Sequence, residues 1–552
     1  MSHPDGPRTG RPPTYAANGA VATPHHLASA AGLDALRRGG SAVDAAVAAN
    51  AVLCVVYPHM SGLGGDGFWL IGEPDGRVCA IDAGGPAAAA ATPDRYRALS
   101  DDGEIPARGA RAALTVPGAV DGWRLAHERF GRLPWDTLFR AATDYARTGM
   151  PVSRSLADWL VRDEPILGAR PDTAAVYLPG GRVPREGQRL TQEALAGSFE
   201  RLAAHGPREG FYEGRTSELI CAALQPQGSP LTPDDFAGFH AEWVEPISST
   251  YRGHDVYQLP PSTQGFTALQ VFNLIEGFDL AALGEGTADY YHHIVEAVKI
   301  AFADRDEWLS DPRFVDLPVD RMISKEYADD RRRLIDPQRA ADMDSVPPGI
   351  PYAHPHERRA PTGDTCYFTT ADSDGLVVSA IQSIYHDFGS AVLGGDTGII
   401  LQNRGSFFSL DENHPNCLAP GKRTFHTLVP ALLLKDGRPH LAFGSMGGEG
   451  QPQSQVALVT RMLDFGYDVQ QAIEAPRWLM GRTWGTPSRN LSLEGRIGDG
   501  VVRELERRGQ PVLPVTDWND NMGHAQAIRV DREQGFYEAG ADPRGDGAAL
   551  GY

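Results

Sequence analysis

The chain has 552 residues, of which 41% are hydrophobic and 22% charged, with a formal net charge of −20. This is the balance of a soluble globular protein, and the acidic excess excludes partners that need a basic surface, namely nucleic acid and anionic membrane. At this length the chain can build more than one core or one large layered unit.

Residues 1 to about 20 are polar and predict a disordered arm. Met1 to Ala17 has no apolar h-region, so no signal peptide is expected. Two small-residue helices follow, His26 to Arg38 and Ala42 to Val56, separated at Gly39-Gly40, with Ser41 as N-cap of the second. The run Ser61-Gly-Leu-Gly-Gly-Asp-Gly67 leads into a strand, Phe68 to Ile71, a turn at Gly76 and a strand from Val78 to Ile81. Helical periodicity marks Trp135 to Thr148, Thr191 to His205 and Asp289 to Leu309. Thr232 to Ala237 is a shorter helical turn that starts on a capping Thr followed by Pro. Arg332 to Thr362 is Arg-, Asp- and Pro-rich and predicts a long exposed connection.

Strand patterns dominate after that connection. Cys366 to Ala371, the turn Asp372-Ser-Asp-Gly375 and Leu376 to Tyr385 form one hairpin. Thr427 to Leu434 and Arg438 to Phe443 form a second, and Ala525 to Asp531 with Gly535 to Ala539 a third. Gln451 to Leu463 is helical. Helices flanking hairpin sheets predict a layered α+β fold. The five cysteines (Cys54, Cys79, Cys221, Cys366 and Cys417) are scattered, with no C-x-x-C. They predict reduced thiols and a cytoplasmic setting rather than a disulfide framework or zinc ribbon. No apolar run reaches membrane-spanning length.

Three features bear on chemistry. Gly363-Asp364-Thr365 heads the first hairpin. A cut before Thr365 would free an α-amine beside its hydroxyl, giving nucleophile and base in one residue. That amine has an unperturbed pKa of about 7.7–8.0, which suits a base near neutral pH. Cutting one residue later would instead expose Cys366, also a competent nucleophile. Gly444-Ser-Met-Gly-Gly448 lies between a strand and a helix, where paired glycines can aim N–H groups at a developing oxyanion. Gly62 to Gly67 opens a strand rather than a helix, so it is not a dinucleotide loop, and close backbone packing is its expected role. The histidines lack ligand spacing: His292 and His293 are adjacent on one helix, and His354 and His356 lie in the connection. No metal site and no cofactor are expected.

Thr365 with its hairpin, Asn403, Lys422-Arg423 and Gly444-Ser-x-Gly-Gly448 resemble the γ-glutamyltranspeptidase family of N-terminal-nucleophile hydrolases. So do Gly40-Ser-Ala-Val-Asp-Ala-Ala-Val47, Gly62-x-Gly-Gly65, Val116-Pro-Gly118, Asp121-Gly122, Ala303-Asp-Arg305, Asp542-Pro-Arg544 and Gly551-Tyr552. The motifs run in family order from about Ala17 to Tyr552. The resemblance implies a four-layer αββα sandwich and autocleavage between Asp364 and Thr365. It also implies a large subunit, 21–364, and a small one, 365–552, that stay together; further dimerisation is left open. By position Thr365 is the nucleophile, Gly447 and Gly448 form the oxyanion hole, and Ser383 takes the place of the family Thr that bonds the nucleophile and assists processing.

The glutamyl-binding positions depart from the pattern. The family's α-carboxylate-binding Arg aligns with Gly84, and its α-amine-binding acid with Phe407. The Asn beyond Ser383 is Tyr385, the paired serines are His426-Thr427, and a nearby Gln is Arg404. The lid, Asp411 to Gly421, is short. Phe407 cannot hold an ammonium as a carboxylate does, whereas Arg404 can grip a carboxylate bidentately. The runs Ile381-Gln-Ser-Ile-Tyr385 and Gln402-Asn-Arg-Gly405 resemble the oxamate amidohydrolase-like branch. The expected activity is hydrolysis of a small carboxylate-bearing amide, with Arg404 either its anchor or part of a structural ion pair. A true γ-glutamyltransferase with a rebuilt clamp and a non-catalytic relative are the alternatives.

Overall fold

Two antiparallel seven-stranded sheets form the middle of the molecule. The computed structural model describes residues 10–99, 104–354, 363–481 and 488–552. One sheet runs, edge to edge, through Ala548–Gly551, Ala20–Thr23, Asp364–Ala371, Val377–Tyr385, Asp66–Gly72, Val78–Ala83 and Glu242–Val244. The other runs through Thr14–Ala16, Phe536–Ala541, Ala525–Asp531, Arg438–Ser445, Ala431–Lys435, His254–Gln258 and Ile247–Tyr251.

Strand alternation sorts the side chains into layers. Phe68, Leu70, Tyr367, Ala371, Val377 and Ile381 meet Leu432, Ala442 and Ile528 of the facing sheet in one core. Their neighbours Trp69, Ile71, Cys366, Phe368, Val378 and Ala380 point outward into a helical core containing Ala42–Val56. That helix is buried on every side, as a helix apolar all round must be. Ser41 and Asp44 close a capping box at its start. The second sheet is covered by Gly265–Glu276, Ala288–Trp308 and Gly450–Leu463. The result is the helix–sheet–sheet–helix order that the sequence implies.

Two expectations change. Part of the segment expected to be a disordered arm is ordered, because Thr14–Ala16 pairs with Phe536–Ala541 at a sheet edge; residues 1–9 lie outside the described residues. The connection after Arg332 is irregular but tethered. Gly349 donates to Asp304, Tyr352 to Glu307 and Trp308 to the Ile350 carbonyl, so its described part is strapped along Ala288–Trp308. Its last stretch, 355–362, is outside the described residues. Among the described residues no helix is long and apolar enough to cross a membrane.

A buried ionic network ties the C-terminal segment to the loop that follows strand Arg438–Ser445. Asp542 takes hydrogen bonds from Arg477, Arg544 and the Ala525 N–H, and Arg544 pairs with Glu494 at 2.7 Å. Arg477 also donates to the Met522 and Gly523 carbonyls, and the next residue, His524, accepts from the Met446 N–H at 3.1 Å. Burial alone would raise the Asp542 pKa, but Arg477 and Arg544 outweigh it and bring it to about 2. Its folded-state pKa is thus below the unfolded value, so its contribution is present above pH 4 and lost as pH falls toward 2. Asp542→Ala strands Arg477 without its partner and is expected to cost about 3–5 kcal/mol in denaturant unfolding.

Candidate active site

Thr365 lies opposite a β-bulge. Asp364 pairs with Tyr385 and Cys366 with Gln382, so Thr365 alone faces Ser383 and Ile384. The extra residue bends strand Val377–Tyr385 and re-aims its side chains beside Thr365. Thr365 is fully buried and shares the inter-sheet face with Tyr367, whereas Cys366 turns to the helical core. The junction expected to be exposed is therefore inside the molecule: Gly363 is buried too, and a Cβ on it would come within 2.5 Å of the Tyr385 ring.

Gln451, in the first turn of Gly450–Leu463, donates to Thr365 Oγ1 at 3.4 Å. Its own Oε1 is fixed by the Val429 N–H. Gly447 and Gly448 sit just before this helix with φ of 123° and 51°, in the left-handed region that a side chain resists. Neither N–H donates to another described residue. Gln264 braces the loop by donating to the Gly448 and Thr427 carbonyls at 3.0 and 2.8 Å. Arg305 in turn holds Gln264 Oε1.

Arg404 forms the opposite wall. It is fully buried and donates to Ser383 Oγ at 3.1 Å and Thr427 Oγ1 at 3.4 Å. Its guanidinium carbon lies 4.4 Å from the centre of the Tyr385 ring. Among the described residues no carboxylate comes within 4 Å of it. Burial lowers its pKa to about 10, with Tyr385 and Asp66 opposing, so it stays charged at neutral pH. Tyr385 carries φ of +82°, a strained value for a non-glycine residue and one that clusters at functional sites. Ser383 Oγ accepts from its N–H at 2.7 Å.

Other predicted residues take distinct places. Asn403 is spent on the protein: Oδ1 accepts from His386 N–H and Nδ2 donates to Ala107, which fixes the turn after Tyr385. Phe407 packs against Tyr385 and Phe425, an apolar corner. Gly84 has no room for a side chain, since a Cβ would sit 3.2 Å from His426 Nε2 and 3.1 Å from Phe68. His426 thus fills the space beside Gly84. Lys422 Nζ donates to Pro415 and Cys417 carbonyls and pins the short 411–421 loop.

The family model for gamma-glutamyltranspeptidase matches residues 28–552. The chain belongs to the γ-glutamyltranspeptidase family. It is 47% identical to the glutathione hydrolase-like YwrD proenzyme of Bacillus subtilis over 96% of this chain and 98% of that one. It is 42% identical to the oxamate amidohydrolase proenzyme of Klebsiella pneumoniae over 97% and 98%. The cephalosporin acylase from Bacillus halodurans superposes with a TM-score of 0.90 at 36% identity, covering 100% of this chain and 98% of that one. The chain is accordingly an amide hydrolase or acyltransferase with the N-terminal-nucleophile fold of this family.

Sequence reasoning missed Gln451, Gln264 and Asp66 at this family site. Gln451 stands three residues beyond Gly448, a nearness that could have flagged it. Gln264 and Asp66 come from segments more than 100 residues from Thr365 and carry no local signal.

Proposed function

We propose that the chain cuts itself between Asp364 and Thr365 and then hydrolyses small amides whose acyl group carries a carboxylate. In processing, Thr365 Oγ adds to the Asp364 carbonyl, the peptide nitrogen leaves as the new α-amine, and water cleaves the resulting ester. The buried junction supports self-cleavage, because an external protease could not reach it. In catalysis the α-amine of Thr365 takes the hydroxyl proton as Oγ attacks the substrate carbonyl. The Gly447 and Gly448 N–H groups hold the tetrahedral oxyanion. The protonated amine passes its proton to the leaving nitrogen, and water resolves the acyl-enzyme.

The observation that carries the substrate class is Arg404, a buried guanidinium with hydroxyl partners and, among the described residues, no carboxylate within 4 Å. A buried cation calls for an anion, and a substrate carboxylate supplies it. The names of the oxamate amidohydrolase and acylase relatives support this reading. Gly84 and Phe407 weigh against a glutamyl clamp, although one relative is named glutathione hydrolase-like and others are named glutathione hydrolase. A panel of oxamate, succinamate, glutaramate, glutathione and γ-glutamyl-p-nitroanilide tests it. At least one carboxylate amide is expected to exceed the γ-glutamyl compounds by tenfold or more in kcat/KM (roughly 1.4 kcal/mol). Comparable turnover of both classes would contradict it. Gly448→Ala is expected to lower kcat by about 10²–10³-fold with little change in KM.

A further inference from the structure

Asp66 has no role in the steps above, yet it sits in the site. It opens strand Asp66–Gly72 directly opposite Ser383 and shares the inter-sheet face of Phe68 and Leu70. It is fully buried. Its Oδ1 accepts three hydrogen bonds, from Gly85 N–H at 3.0 Å, Gly118 N–H at 3.1 Å and Gln402 Nε2 at 3.0 Å. Its Oδ2 accepts none and lies 3.4 Å from His426 Nε2.

His426 is equally buried, and neither ring nitrogen has a hydrogen-bond partner among the described residues. Its ring is placed from outside: Ser262 and Gln264 hold its main chain on both sides, and Phe68 packs edge-on at 4.8 Å. Two buried polar groups with unspent edges are costly, and most buried groups are satisfied. Three donors crowd Oδ1, so a proton on this carboxyl belongs on Oδ2, the edge that faces the pocket histidine. The charged and titratable groups around the pair are Arg404, Tyr385 and Arg423, with Asp82 and Glu242 bound to Arg423.

We propose that Asp66 and His426 form the second half of a carboxylate grip, in which Arg404 takes one oxygen of the acyl carboxylate and the Asp66–His426 edge donates to the other. This rests on Arg404 being the substrate anchor. Asp66 then acts as a neutral acid, and ionising it sets a negative charge against the substrate's own. Burial raises its pKa to about 7, with Arg404 and the Oδ1 donors opposing. His426 is kept neutral by burial and by Arg404 and Arg423. A carboxylic acid held neutral by its site in order to donate is an established enzymatic device. These residues are specificity-determining: they move KM, while the chemistry stays with Thr365.

The test follows KM and kcat separately from pH 6 to 9 on the best carboxylate amide, together with inhibition by oxalate. In wild type, KM and the oxalate inhibition constant are expected to rise above pH 7, approaching tenfold per unit. Asp66→Asn keeps a neutral donor, so both constants should become flat with pH. A neutral amide substrate should show no such rise in either protein. Self-cleavage, read by mass, reports folding, and His426→Gln provides a second variant expected to raise KM tenfold or more without moving kcat by more than twofold. A pH rise that persists in Asp66→Asn overturns this proposal and leaves Arg404 standing. Failure of wild type to bind oxalate or turn over any carboxylate amide overturns the Arg404 reading as well.

Discussion

Replacing Thr365 with Ala is expected to leave one uncut chain of 59.5 kDa and to lower amide hydrolysis by at least about 10³-fold. Both losses come from one atom. In the proposed mechanism the hydroxyl is the nucleophile in processing and again in turnover, and without processing there would be no α-amine to act as base. Thr365→Ser keeps the hydroxyl and should keep both activities at reduced rate. Loss of fold would not account for this result, because Ala fits a buried strand position and leaves the Gln451–Val429 brace intact. Gel separation of the two fragments and a single-turnover assay check it. An uncut Thr365→Ala chain with wild-type activity would remove Thr365 from the chemistry.

Arg404→Met should separate binding from stability. A charge-assisted contact to substrate is worth about 1.5–3 kcal/mol, so KM for a carboxylate amide is expected to rise roughly 10–100-fold, with self-cleavage retained. Arg404→Lys should recover part of the loss, since ammonium gives charge without the planar fork. If Arg404 were structural, removing it would destabilise the protein as breaking a buried ion pair does. Among the described residues the partners of Arg404 are hydroxyls and the Tyr385 ring, so no paired carboxylate is left stranded, and Met fills much of the space. Melting temperature is therefore expected to hold or rise. A fall of many degrees with unchanged KM would assign Arg404 to the scaffold. The contrast with Asp542→Ala is direct, since Asp542 holds two buried arginines.

Much of this was legible in the chain because local chemistry specified it. The Ser41 N-cap, the Asp372–Gly375 hairpin turn and the helix expected over Gln451 to Leu463 all follow from short-range rules, and the structure has them. Position in a motif singles out Thr365 and Gly447-Gly448, and the structure places Gln451, three residues beyond Gly448, against the Thr365 hydroxyl. The strands Ile247–Tyr251 and His254–Gln258 were not legible, for they are short and half polar; His254–Gln258 is fixed by pairing with distant Ala431–Lys435, and Ile247–Tyr251 adds to it at the sheet edge. The burial of the cleavage junction was hidden for a similar reason: a polar Pro-rich stretch reads as exposed, yet Gly363 is packed under Tyr385, which a strained φ of +82° puts there. Asp66 reads as one acid in a glycine run. Its meaning comes from Ser383, Gln402 and His426, all more than 300 residues away, and long-range pairing of that kind has no local signature.

The central claim is that Thr365 becomes an N-terminus. Intact mass and N-terminal sequencing of the purified wild-type protein, kept under native conditions, test it most directly. Two co-purifying fragments are expected, the smaller beginning at Thr365. A single active species at 59.5 kDa, or a small fragment beginning at Cys366, would contradict it.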